Sequence, residues 1–162
     1  MIFLYAMAFI TGILVKVVDW IEDETKHKSP LKYPLAIAYG VMIAYLISNA
    51  PFSMIFLGAL FAQAIAGKVD CKGHFLGFIT AAVSLFYFGF PQMELIPFAV
   101  FFVFALMDEL KFFGKYLFLS DYRPFLEVAS IAFIPLGRWD YFFGILSFDL
   151  GYLLFGRARS FF

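Results

Sequence analysis

The sequence predicts an all-α fold: a polytopic membrane helix bundle of about seven transmembrane helices, built as a single integral membrane domain over 1–162. Three observations carry this expectation. The first is composition. The chain is 64% hydrophobic, 22% aromatic and 15% charged, with 12 Lys+Arg balanced by 12 Asp+Glu. Soluble domains carry about 25% charged residues, and a chain this small leaves too much surface exposed to hide so many apolar side chains in one core. The second is the succession of long apolar runs. The third is that the breaks between them alternate between two chemical kinds.

Together these exclude a soluble globular enzyme, a disordered chain and a nucleic-acid binder that relies on a basic field. Cys71 is the one cysteine, so no internal disulfide framework exists. The first apolar run begins at Ile2 with no basic region before it, which favours a retained span over a cleaved signal.

A membrane span needs about 20 predominantly apolar residues. The runs Ile2–Val18, Tyr33–Ser48, Phe52–Val69, Phe75–Phe90 and Leu95–Met107 (continuing towards Phe113) are the five long candidates. A sixth, Phe125–Gly137, is short and reads as a tilted span or, in a six-crossing alternative, as a re-entrant segment. Tyr141–Phe155 follows Arg138-Trp139-Asp140 as the seventh.

Asn49-Ala50-Pro51 and Gly89-Phe90-Pro91-Gln92 are tight uncharged turns. The breaks 19–32, 68–74 and 108–123, and the tail from 157, are rich in charge. Seven crossings place every basic residue except Arg138 on one side, and basic residues in short loops stay cytoplasmic. The expected location is therefore a cell membrane, with the N-terminus outside and the C-terminus cytoplasmic. Helices one, three and five each end on an acid, at Asp19, Asp70 and Asp108. This suggests three similar helical hairpins and a final helix.

Nine of the 12 carboxylates fall at the cytoplasmic helix ends, and the positive-inside rule does not explain them. Asp19 and Asp23 are four apart on one helical face, with Lys16 placed to pair with Asp19. Gln63, Gly67, Asp70 and His74 recur as a polar stripe along helix three, where lipid offers polar groups no partner. Asp108 is expected at the same depth. Glu22 points some 300° around the helix from Asp19, towards the solvated rim, by the 3.6-residue period.

Asp19, Asp23, Asp70, His74 and Asp108 are thus the candidate ligands of a divalent metal, Mg²⁺ or another such cation. Lys16, Lys68 and Lys111 are placed to hold the phosphate of a lipid head group. Glu127, near the start of segment six, and Asp149, inside the seventh apolar run, complete the candidate substrate-binding set. The bland reading of such acids beside lysines is a solvated interfacial face, and that of Asp149 is a hydrogen bond locking helix packing.

Three functions compete. One is a metal-dependent enzyme acting on a phosphorylated or diphosphate lipid. The second is a small cation transporter or channel using the acids and Asp149. The third is a non-enzymatic membrane assembly partner. No P-loop, zincin or Gly-x-Gly-Asp motif occurs to name a reaction. The expected partners are the lipid bilayer and a lipid phosphate or a cation.

Overall fold

The computed structural model describes residues 1–23, 29–110 and 124–158. Among these, the chain forms seven α-helices and one 3-10 turn, with no strand. The helices are α1 (Ile2–Asp23), α2 (Lys32–Asn49), α3 (Ser53–Ile65), α4 (Lys72–Phe88), α5 (Leu95–Glu109), α6 (Pro124–Ala132) and α7 (Trp139–Ala158). The 3-10 turn Ile134–Leu136 extends α6. Of the described helices, α1 is long and apolar enough to cross a membrane by itself, whereas α3, α4 and Pro124–Leu136 are apolar but shorter.

Every apolar run contains a helix, and two of the boundary shifts bear on the acidic residues. α1 runs on past Val18 through Asp23, so its carboxylates are helical. α3 stops at Ile65, and Gly67 adopts φ +68°, a left-handed conformation that only glycine adopts without strain.

Packing sets α4 along α2, α1 along α7 and α3 along α5, with α6 bridging α5 and α7. Two of the expected hairpins exist, α1–α2 and α5–α6. The third does not: α3 and α4 make hardly any contact. α3 instead inserts into the core, where Ser53 to Gly58 are buried without interruption. A helix segment buried all round belongs to the interior. Phe101, Phe133 and Tyr141 cluster beside it, with ring centroids 4.6 to 5.3 Å apart. α1 and α7 approach closely because each carries glycine at the crossing. A Cβ on Gly12 would run into the Phe148 carbonyl, and one on Gly151 into the Phe9 carbonyl.

The uncharged turns gather at one end of the bundle. Ser48 donates to the Gly89 carbonyl there, and Arg138 reaches Glu94 at 2.7 Å, Asp140 at 3.1 Å and the Pro51 carbonyl at 2.8 Å. The acid-rich end of α1 meets α4 and α7 at the other end, through Asp19, His74 and Tyr152. The sixth segment leaves this acidic end, where Asp108 accepts from Phe125 and Leu126, and finishes at the Arg138 end. It therefore runs the length of the bundle instead of turning back.

Candidate functional site

The divergence of α3 from α4 leaves a cavity of about 350 Å³ at the acidic end. α1, α2, α3, α4 and α7 wall it, the segment after Gly67 edges it, and Glu109 reaches it from the end of α5. Asp23, Lys68, Asp70 and Cys71 belong to its polar mouth, whereas Val15, Ile43, Leu60, Phe78 and Phe148 give it an apolar interior. A smaller apolar recess continues inward past Ile43, Leu60 and Phe148 to Ile55, Phe56 and Ile145.

Five side chains from four helices form a network in the polar part. Asp19 of α1 accepts from His74 Nε2 of α4 at 2.7 Å and from the Tyr152 hydroxyl of α7 at 2.6 Å. The other ring nitrogen, Nδ1 of His74, lies 3.2 Å from the hydroxyl of Tyr39 on α2. Lys16 Nζ donates to Tyr152 at 3.2 Å and stands 3.8 Å from Asp19. His74 precedes the apolar run of α4. Burial works against its charged form, but the hydrogen bond and charge of Asp19, with Asp23 and Asp70 beyond, override it and hold the imidazole above its ordinary pKa.

Close approach positions this network. A Cβ on Gly77 would collide with the Tyr39 hydroxyl, so the glycine makes the space in which Tyr39 meets His74. Four residues earlier, Gly73 lies against Val18 and Glu22. The Gly73-x-x-x-Gly77 spacing is the sequence signal for this α4 face. It corrects the expectation that the sequence lacks a clean Gly-x-x-x-Gly motif. Tyr152, whose spacing pairs it with Asp149, bonds Asp19 instead, and no charge or spacing marks Tyr39.

The expected site residues separate into two groups. Asp19, Asp23, Lys68, Asp70 and His74 all line the cavity. The polar stripe is not one helix face, however: Gln63 lies on α3, Asp70 in the connecting segment and His74 on α4, because the helix stops at Ile65. The three still face the same space. Lys16 stands behind Asp19 and Tyr152, outside the lining.

Asp108 does not join Asp19 and Asp70. Its carboxylate accepts the backbone N–H groups of Phe125 at 3.1 Å and Leu126 at 2.9 Å, capping the start of α6. Glu109 lines the cavity instead. Glu127, in the first turn of α6, and Asp149, buried within α7, are not lining residues. Lys111 lies outside the described residues.

Glu22 corrects the expectation of a solvated rim. It is buried, bonds Lys32 Nζ at 2.9 Å and accepts the Gly73 N–H at 2.9 Å. Helical phase placed it away from Asp19 correctly, but that side of α1 faces α2 and α4, not solvent.

Among the described residues, no three His, Cys, Asp or Glu side chains are grouped so as to hold a metal ion. Burial pushes the Cys71 thiol above its ordinary pKa, so the thiolate is disfavoured. No protein-family model, no curated protein and no solved structure matches this chain.

Proposed function

We propose that the chain is a multi-pass cell-membrane protein whose cytoplasmic-face cavity binds the head group of a phosphorylated or diphosphate lipid, in company with a divalent cation such as Mg²⁺. The observation that carries this reading is the gradient inside the cavity, from exposed carboxylates and lysine at the mouth, past the half-buried imidazole, to aliphatic and aromatic side chains within. Such a lining suits an amphiphile, and the volume falls within the usual range for small-molecule sites, about 300–1,000 Å³.

Large apolar side chains support the membrane setting. They face outward on every helix, including Phe3, Ile37, Phe61, Val83, Phe86, Val103, Val128 and Leu154. Phe86 is 78% exposed and Ile2 86%, which an aqueous surface would disfavour. The shorter helices α3 and α5, of 13 and 15 residues, rise only about 20–22 Å, so local bilayer thinning would accompany insertion.

Mg²⁺ commonly takes one or two protein carboxylates and completes its shell with phosphate oxygens and water. Asp23 and Asp70 at the mouth are the residues that would hold it, with Lys68 on the phosphate. Against the transporter reading stands the position of Asp149, away from the cavity lining, and the apolar interior that a cation path would have to cross.

The test is native mass spectrometry of the full chain released from micelles containing farnesyl diphosphate or farnesol, each with Mg²⁺. The reading expects one diphosphate lipid retained per chain, and Asp70→Asn or Lys68→Gln to weaken retention about tenfold or more. Equal retention of farnesol, or none of either, contradicts it.

A further inference from the structure

We propose that Tyr39, His74 and Asp19 form a hydroxyl–imidazole–carboxylate relay, and that the Tyr39 hydroxyl is the catalytic group that takes a proton from water attacking a bound diphosphate lipid. This rests on the lipid reading above and adds a reaction to it. Three features of the geometry carry it. The three groups come from α2, α4 and α1, and all line the cavity. They connect in series, carboxylate to Nε2 at 2.7 Å and Nδ1 to hydroxyl at 3.2 Å. Both ring nitrogens of His74 are therefore covered, so within this series the group left to take a proton from a ligand is the phenol.

The series repeats the logic by which a carboxylate orients an imidazole and stabilises its charged form while the imidazole takes a proton from a hydroxyl. Here Nε2–H donates to Asp19, which fixes the tautomer and leaves Nδ1 to accept from Tyr39. Tyr152 donates to the second carboxylate oxygen of Asp19, and Lys16 donates to Tyr152, so the carboxylate is held from behind.

The step balances as follows. A water oxygen bonds to the terminal phosphorus, and the bridging P–O bond breaks with its electron pair leaving on the lipid monophosphate. That leaving group is stable as an anion and needs no proton. The proton lost by water passes to Tyr39 Oη as the phenol proton passes to His74 Nδ1. Asp19 stabilises the imidazolium, which returns its proton through Tyr39 to water at the cavity mouth. The products are a lipid monophosphate and inorganic phosphate.

The experiment measures inorganic phosphate released from farnesyl diphosphate by the full chain in detergent with Mg²⁺, alongside retention of the same lipid. Wild type should release phosphate. Tyr39→Phe keeps the ring that packs against Gly77, and should lower kcat by about 10²–10⁴-fold, the range of general acid–base catalysis, with KM changed only a few-fold. His74→Gln should do the same and decides the matter if Tyr39→Phe fails to fold. Asp19→Asn, which acts through His74, should lower kcat without loss of lipid retention. Lipid retained by wild type with no phosphate released overturns the relay and leaves the binding reading standing. Lipid not retained overturns both. Turnover by Tyr39→Phe at the wild-type rate removes Tyr39 from the chemistry.

Discussion

Glu22 accepts the backbone N–H of Gly73 at 2.9 Å, while Asp19, one turn earlier on α1, accepts from the neighbouring His74 side chain at 2.7 Å. Two carboxylates of one helix thus grip consecutive residues of α4. Lys32 of α2 completes the grip by pairing with Glu22. The clamp holds α4, whose main support is α2, against α1 at the level of the cavity.

Removing one partner of a buried ion pair leaves the other charge uncompensated. Lys32→Met should therefore lower the Tm in detergent, and Glu22→Gln with Lys32→Met should recover part of the loss. If the double variant is no more stable than Lys32→Met alone, the pair is not the source of the effect.

Glycine at the α1–α7 crossing is a steric requirement. Gly12→Ala would press a methyl group onto the backbone of α7, which cannot rotate aside as a side chain can. Chemical denaturation should show a loss of about 1–3 kcal/mol. Gly156→Ala, where the nearest atom is the Lys16 side chain at 3.7 Å, should stay close to wild type.

Arg138 ties three turns together at the far end and lies 4.2 Å over the Tyr141 ring. Lysine cannot reproduce its planar fork. Arg138→Lys should lose most of what Arg138→Ala loses, about 1.5–3 kcal/mol for charged hydrogen bonds, by equilibrium unfolding. Full retention of stability by lysine would show that charge alone suffices.

The pH dependence has a definite sign. His74 is held above its ordinary pKa in the fold, so its stabilisation is complete below about pH 6.5 and is lost as pH rises through the raised value. The Tm of wild type should fall over that window, and the fall should be smaller in His74→Gln. Identical slopes would remove His74 as the titrating group.

The proposed sidedness rests on the two kinds of turn. In a Cys71→Ser background, Lys68→Cys and Met93→Cys should react with an impermeant thiol reagent from opposite faces of sealed vesicles. Labelling from the same face would break the proposed crossing pattern.

Much of this arrangement was legible in the sequence. Apolar runs marked the helices, and Asn49-Ala50-Pro51 and Gly89-Phe90-Pro91-Gln92 marked the turns, because span length and turn chemistry are local properties. Asp19, Asp23, Asp70 and His74 could be singled out because charge at the end of an apolar run is conspicuous. Which helices touch was not local. Equal depth suggested that Asp108 would meet Asp19, but depth fixes no neighbour, and Asp108 caps α6 instead. Tyr39 reads as an ordinary aromatic residue, and Tyr152 as a neighbour of Asp149 three residues before it, because their partners His74 and Asp19 lie on other helices. Glu22 read as solvated because helical phase gives a direction, not what lies in that direction.

The central claim is that the cavity recognises a lipid by its phosphate. The most direct measurement is the Tm of the full chain in detergent with Mg²⁺, titrated with farnesyl diphosphate and, in parallel, with farnesol. A ligand that binds only the folded chain adds about 2.7 kcal/mol at a hundred times its Kd, which for a chain of this size corresponds to a rise of about 5–10 °C. The account predicts that rise for the diphosphate, its loss in Asp70→Asn, and little change with farnesol. An equal rise with both lipids, or none with either, would contradict it.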